Sequence, residues 1–239
     1  MNPAQEKQLA RENLAQRYAQ LWPNDRPGPL RAPEFPQAGK AAERLRRQAA
    51  YRAARVIAIQ PDPVLLQARI NALMDGKTLI AATPGLKQGL VRVSPDMVPV
   101  AARNRELTGH ALIKSGRQLR FPAANLGRVD MVLGACLGFD PKGRLLGDGR
   151  GLLDLLYALL RHLGMKPGAP VAVIAADEQK LDALPRQKWD AAANLVVTPG
   201  QALQMEQQQP LPDLAALPRA LASLPVVRSI LVRRDQSAG

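Results

Sequence analysis

The chain has 239 residues, 46% of them apolar, with 33 Lys+Arg against 20 Asp+Glu, two His and one Cys. That apolar share supports a real core and excludes wholesale disorder, while the lone Cys136 excludes a disulfide scaffold or a cysteine-based zinc site and suits a reducing compartment. The polar opening residues do not read as a signal peptide, and the longest uncharged apolar stretch, Met131 to Phe139, is far short of the about 20 residues that cross a bilayer, so a soluble cytoplasmic protein without membrane contact is expected.

Residues 3–21 predict an amphipathic helix with Leu9, Leu14, Tyr18 and Leu21 on its apolar side. The stretch 22–37 is proline-rich and predicts an extended surface crossing. An Ala/Arg-rich helix is expected at 38–49 and a β-prone run at 55–59. Pro63 then opens a helix carrying Val64, Leu65, Ile70, Leu73 and Met74, which stops at Asp75-Gly76 before a strand at 77–83. Strand, helix and strand in this span form a βαβ unit, hence a parallel pair. The middle, 84–128, is less regular, with a helix near 100–108 and a basic loop at 114–120. Residues 129–139 predict one buried central strand, followed by a glycine-rich loop, a helix at 151–163 and buried strands at 170–175 and 194–198. A tail helix at 212–223 and a short strand near 226–232 complete the expectation. The alternation means an open α/β sheet covered by helices, in one domain over 1–239, with 1–37 and the Pro/Leu-rich tail 210–239 packed on it.

Charge is lopsided: residues 1–120 hold 20 basic and 9 acidic groups, and residues 121–239 hold 13 and 11. The basic half reads either as solvated helix faces or as an attraction to polyanions. Aromatic residues make up only 3% of the chain, too few for the stacking platforms of single-strand or RNA binders, so a charged small substrate is the simpler partner than nucleic acid.

The informative stretch runs from Gly143 to Asp154 (GRLLGDGRGLLD). Glycines at 147, 149 and 151, between a buried strand and a helix, fit an anion cradle of backbone N–H groups and also fit a tight structural turn. The spacing matches neither a Walker loop nor the dinucleotide fingerprint. His110 and His162 lack metal spacing, and Cys136, without a paired base, reads as a core thiol.

Taken with its surroundings, this stretch resembles the 5-formyltetrahydrofolate cyclo-ligase (methenyltetrahydrofolate synthetase) family, whose hallmark is G-x-R-L-G-x-G-x-G-Y-Y-D. The resemblance is nearest to its methenyltetrahydrofolate synthase domain-containing branch. It extends over nearly the whole chain: Lys7 and Arg11 four apart, Asp75-Gly76-Lys77 with Thr83-Pro84, Val129-Asp130, then Glu178-Gln179, Leu184-Pro185, Asp190 and Thr198. It implies an open, mainly parallel sheet with helices on both faces, the three-layer NagB/RpiA/CoA transferase-like arrangement. It also implies a cyclo-ligase that uses MgATP to turn 5-formyltetrahydrofolate into 5,10-methenyltetrahydrofolate: the formyl oxygen is phosphorylated, N10 attacks the activated carbon and phosphate leaves.

Carried over position by position, the resemblance makes Lys7 and Arg11 clamps for the triphosphate, and the loop Gly147, Asp148, Gly149, Arg150 and Gly151 the nucleotide cradle. Asp154 and Asp190 become magnesium ligands, and Asp62, counting back from Lys77, takes the place of a folate-contacting Glu. The chain departs from the pattern at the hallmark Arg, here Leu145, and at the Tyr pair, here Leu152-Leu153. Trp189 stands for a His, and Ala135-Cys136 for a Pro-Gly. Arg144 and Arg150 flank the gap and are the expected catalytic cations. If they do not fill it, the same fold would serve as a folate- or nucleotide-binding protein with little turnover. A charge-driven RNA-associated protein is the remaining alternative.

Overall fold

The computed structural model of the chain describes residues 2–22, 31–120, 126–205 and 219–229. Helix α1 (Pro3–Leu21) starts where the Asn2 side chain accepts the N–H groups of Ala4 and Gln5 at 3.1 and 3.0 Å, with Pro3 supplying a preset first turn. The helix docks through Lys7, Leu14 and Tyr18. Leu9 and Leu21, expected on the inner face, are exposed instead. Leu9 lies about 200° around the helix from Lys7, so seating Lys7 turns Leu9 outward. Of the proline-rich crossing, residues 31–36 run without helix or strand, and 23–30 lie outside the described residues.

The helix expected at 38–49 is two helices, α2 (Ala38–Arg46) and α3 (Ala49–Ala53), separated where Gln48 turns to an extended ψ of 139°. Strand β1 (Val56–Ile59) leads through a 3-10 turn at Pro63–Leu65 into α4 (Leu66–Met74) and then β2 (Thr78–Ala82). Asp75, just past α4, ties these helices together. It accepts from Arg46 Nε and Nη2 at 2.9 and 2.5 Å and from the Tyr51 hydroxyl at 2.9 Å. Burial alone would raise its carboxyl, but these hydrogen bonds hold it below the ordinary carboxylate range. Met74, expected among the apolar positions of that helix, is exposed, and α4 buries the charged Arg69 beside Ala68, Asn71, Ala72 and Leu73.

A strand not anticipated from the sequence, β3 (Leu90–Val93), returns antiparallel to β2. The helix expected at 100–108 is a 3-10 turn at Val100–Ala102 followed by α5 (Arg103–Glu106). Within the expected basic loop lie the end of α6 (Leu112–Ser115) and the short edge strand β4 (Arg117–Gln118). The single strand expected at 129–139 is interrupted. β5 (Met131–Ala135) stops at Cys136, and β6 (Gly138–Phe139) turns to pair antiparallel with β7 (Leu145–Leu146). The break has a cause: the carbonyls of Cys136 and Leu137 accept from Gln179 Nε2 at 2.6 and 3.2 Å, and Leu137 also accepts from the Tyr18 hydroxyl at 2.5 Å. Those backbone groups are satisfied by side chains and leave the ladder.

Helix α7 (Leu152–His162), strands β8 (Val171–Ile174), β9 (Leu195–Val197) and β10 (Ala202–Gln204), and helix α8 (Arg219–Ala222) complete the described elements. Residues 225–229 are helical where a strand was expected to begin; the rest of that expected strand and most of the expected tail helix fall outside the described residues.

The main sheet has the order β10-β9-β8-β5-β1-β2-β3-β4. The five strands from β9 to β2 are mutually parallel, and the antiparallel ones flank them. Alternation divides the side chains between two cores. Ile57, Ile59, Leu79 and Leu133 face α2 and α4, while Ala58, Ile80 and Val132 face Leu155, Leu156 and Leu159 of α7. Helices therefore cover both faces of an open, mainly parallel sheet, as expected. The chain leaves β1 toward β2 on one side and later leaves β5 toward β8 on the other. The gap beyond the carboxyl ends of β1 and β5 is thus a topological switch point, where open α/β sheets take their ligands.

Candidate active site

A cavity of about 570 Å³ opens at that switch point. The loop after β1 brings Gln60 and Asp62 to it, the end of β5 brings Cys136, and α1 brings Lys7 and Arg11. The glycine loop and the start of α7 form its floor, the segment 187–190 one side, and Leu221 and Leu224 another. A smaller cavity of about 260 Å³ shares Gln60, Asp62, Asp148 and Arg150 with it and continues beneath Pro84 and His110. His110, expected in an ordinary surface role, is exposed and lines this second space.

The three loop glycines differ. Gly149 and Gly151 have φ of +90° and +65°, conformations that L side chains rarely adopt, whereas Gly147 has no positive φ and would meet nothing within 4 Å of a Cβ. Gly149 and Gly151 turn the loop, and Gly147 leaves open space. Gly151 also stands before the first residue of α7, so the first turn of that helix, whose N–H groups have no helical carbonyl to serve, lines the cavity.

Lys7 and Asp190, distant in sequence, form an ion pair with side chains only 8% and 9% exposed. Asp190 also accepts the Gln187 N–H at 2.6 Å. Asp154 Oδ1 accepts the Ala191 N–H at 2.7 Å. Burial pushes the Asp154 carboxyl up to about 6; the Asp190 charge adds to this, while the Ala191 N–H and Lys7 oppose it. Arg11 Nε donates to Gly147 O at 2.9 Å, and burial lowers its guanidinium against the pull of Asp148 and Asp190. Arg150 folds back onto Asp148, with Nε 2.8 Å and Nη2 2.6 Å from Oδ2. Asp62 is partly buried, and burial followed by the nearby Asp148 raises its carboxyl, with Arg69 opposing.

Arg144 is elsewhere. Its Nη1 donates to Leu184 O at 2.6 Å, its Nε stands 3.9 Å from Asp140, and it does not line the cavity. The reason is Asp140, buried at the end of β6, which accepts the N–H groups of Lys142, Arg144 and Leu184 and folds the turn so that Arg144 points away. Two guanidiniums nevertheless reach the glycine loop, those of Arg11 and Arg150. Leu145, Leu152 and Leu153 make the adjoining wall apolar. Cys136 is buried, its thiol pushed up to about 12 chiefly by burial. Trp189 also lines the cavity.

Among the described residues no three His, Cys, Asp or Glu side chains cluster as a metal site, and no helix is long and apolar enough to cross a membrane. Gln60 and Arg69 escaped the sequence reading, because a polar residue ending a strand and a charged one inside a helix carry no periodic signal.

The sequence model of the 5-formyltetrahydrofolate cyclo-ligase family matches residues 3–199. A methenyltetrahydrofolate synthase domain-containing protein of Bos taurus is 30% identical over 223 residues, covering 89% of this chain and 58% of that protein. Its counterpart in Mus musculus is 29% identical, covering 89% and 59%. The chain thus spans under two thirds of these relatives. Among solved structures, the 5,10-methenyltetrahydrofolate synthetase of Aquifex aeolicus shares the fold, with a TM-score of 0.55 at 18% identity over 87% of this chain and 96% of that one.

Proposed function

Because the chain belongs to the 5-formyltetrahydrofolate cyclo-ligase family, we propose that it is an ATP-dependent ligase converting 5-formyltetrahydrofolate to 5,10-methenyltetrahydrofolate, with release of ADP and phosphate, in the cytoplasm. One observation carries this reading: Lys7, Arg11, the loop Gly147–Gly151, Asp154 and Asp190 line a single cavity although they come from segments far apart in the chain.

Lys7 and Arg11 supply two cations one helical turn apart, suited to charged phosphate oxygens. The loop N–H groups and the start of α7 add donors that carry no mobile charge. Magnesium is ordinarily held by one or two carboxylates together with phosphate oxygens and water, so Asp154 and Asp190 are a sufficient donor set. When bound, it would neutralise charge on the transferring phosphoryl group. Asp190 is already paired with Lys7, so its share depends on the ammonium turning to the phosphates. Asp62 stands where it can orient the folate. Leu145, Leu152, Leu153 and Leu221 keep water from an activated formyl group, which would otherwise hydrolyse. Arg150 and Arg11 take over the place of the hallmark Arg.

A second reading rests on Leu145 and on Arg144 being held at Leu184: a protein that binds folate or nucleotide with little turnover. A spectrophotometric assay with 5-formyltetrahydrofolate and MgATP separates them, run beside Asp154→Ala and a control without ATP. ATP-dependent methenyl product that disappears in Asp154→Ala supports the ligase. Folded protein that binds ATP or folate yet yields no product establishes the second reading.

A further inference from the structure

Gln60 is 8% exposed, yet it lines both cavities. Three features hold it there. Its Oε1 accepts the N–H of Ala135, the last residue of β5, at 3.0 Å. A Cβ on Gly134 would stand 2.6 Å from that same oxygen, so only glycine leaves room for the amide. Beneath it, the fully buried Arg69 clamps the backbone on either side: Nη1 donates to Gln60 O at 2.9 Å and to Asp62 O at 3.1 Å, while Nε donates to Leu107 O at 2.7 Å. Only an oxygen can answer the Ala135 N–H, so the amide orientation is determined, and Nε2 is not among the sealed-off side-chain atoms that lack a partner. That Nε2 has no hydrogen-bond partner among the described residues.

A buried amide that costs a glycine and a buried arginine to hold, and that leaves two donors unused, is built for an acceptor brought by a ligand. We infer that Gln60 is a substrate-binding residue that donates from Nε2 to a carbonyl oxygen of the substrate, in the space lined by the residues common to both cavities. The inference rests on the folate reading above, and the ligand chemistry it adds is a neutral carbonyl acceptor rather than a phosphate. The carboxylates of the neighbouring Asp62 and Asp148 present no donor in their charged forms, so the amide supplies what they lack.

The test uses the whole chain and two variants. Gln60→Glu keeps an oxygen for Ala135 and removes the donor; Gln60→Met removes the donor without adding charge. Affinities for 5-formyltetrahydrofolate and for ATP are measured separately by calorimetry, with the thermal midpoint of each protein. The expected result is a folate affinity weakened about tenfold or more in both variants, because a site built to hydrogen-bond a group loses most when that bond is unmade. ATP affinity of Gln60→Met stays within about threefold of the parent, a separation that a merely structural role would not produce. If the parent binds folate and both variants bind it equally well, the inference is overturned and the ligase reading stands. If Gln60→Met loses folate and ATP affinity alike, the role is structural and the inference is again overturned. If the parent binds ATP but no folate, the ligase reading fails and the inference falls with it.

Discussion

Lys7 and Asp190 invite a double-mutant cycle, because both carboxylate and ammonium are almost wholly removed from solvent. Removing one member of a buried pair leaves the other charge uncompensated, at a cost of about 3–5 kcal/mol. Two features of this site argue for the lower end. The Gln187 N–H continues to serve Asp190, and the adjoining cavity lets water approach. Lys7→Met should therefore lose about 3 kcal/mol, which for a chain of this size lowers the thermal midpoint by about 6–12 °C. The double variant Lys7→Met/Asp190→Asn removes both charges and should recover about half of that loss or more, so that it is far more stable than the two single losses summed would make it. Urea unfolding of the four proteins at neutral pH, with unchanged m-values, measures it. A Lys7→Met protein within about 0.5 kcal/mol of the parent, or a double variant as unstable as the two singles summed, would refute the reasoning.

Arg11→Met should weaken ATP binding by about tenfold or more through loss of a charge-assisted donor beside the glycine loop, with little change in thermal midpoint; calorimetry and melting together check both halves. Gly147→Ala should leave the midpoint nearly unchanged while weakening ATP binding, because its Cβ meets no protein atom but enters the cradle; Gly149→Ala, at φ +90°, should instead lose about 1–2 kcal/mol in urea unfolding. Asp75→Asn should destabilise the protein at pH 7. The folded carboxyl is depressed, so its contribution is complete above the unfolded value of about 3.9 and is lost as pH falls through the lower folded value. Unfolding curves of the two proteins should accordingly converge below about pH 4, and a gap that widens there would contradict the assignment.

The five parallel strands were legible because each is apolar on both faces, and a buried strand such as Val171–Ile174 announces itself without help from its neighbours. The helix α7 was legible from its periodicity and the glycines before it. The antiparallel additions were not. Leu90–Val93 is a strand because β2 offers it an edge, and Ala202–Gln204 because β9 does; neither carries a signal of its own. Of the residues the motifs singled out, the loop, Lys7, Arg11, Asp62, Asp154 and Asp190 share one cavity. Arg144 was misplaced because its direction is decided by a turn around Asp140, a tertiary event that spacing along the chain does not encode. Leu9 was assigned the wrong side of α1 for a related reason: hydrophobicity alone puts leucine inside, and the buried partner that turns Lys7 inward in its stead lies 183 residues away.

That separation also bears on when the site comes into being. With Lys7 near one end and Asp190 beyond β8, a chain emerging from the ribosome must expose nearly two hundred residues before the first helix can find its partner. The parallel β1–α4–β2 unit lies within a short span and can be assembled long before, Leu14 and Tyr18 can meet Leu137 and Leu146 next, and Lys7 alone of the docked residues must wait for Asp190. That pair closes a loop of 183 residues, so it belongs among the last contacts to form. A nascent or truncated chain can thus hold most of the sheet and still lack the buried Lys7–Asp190 pair.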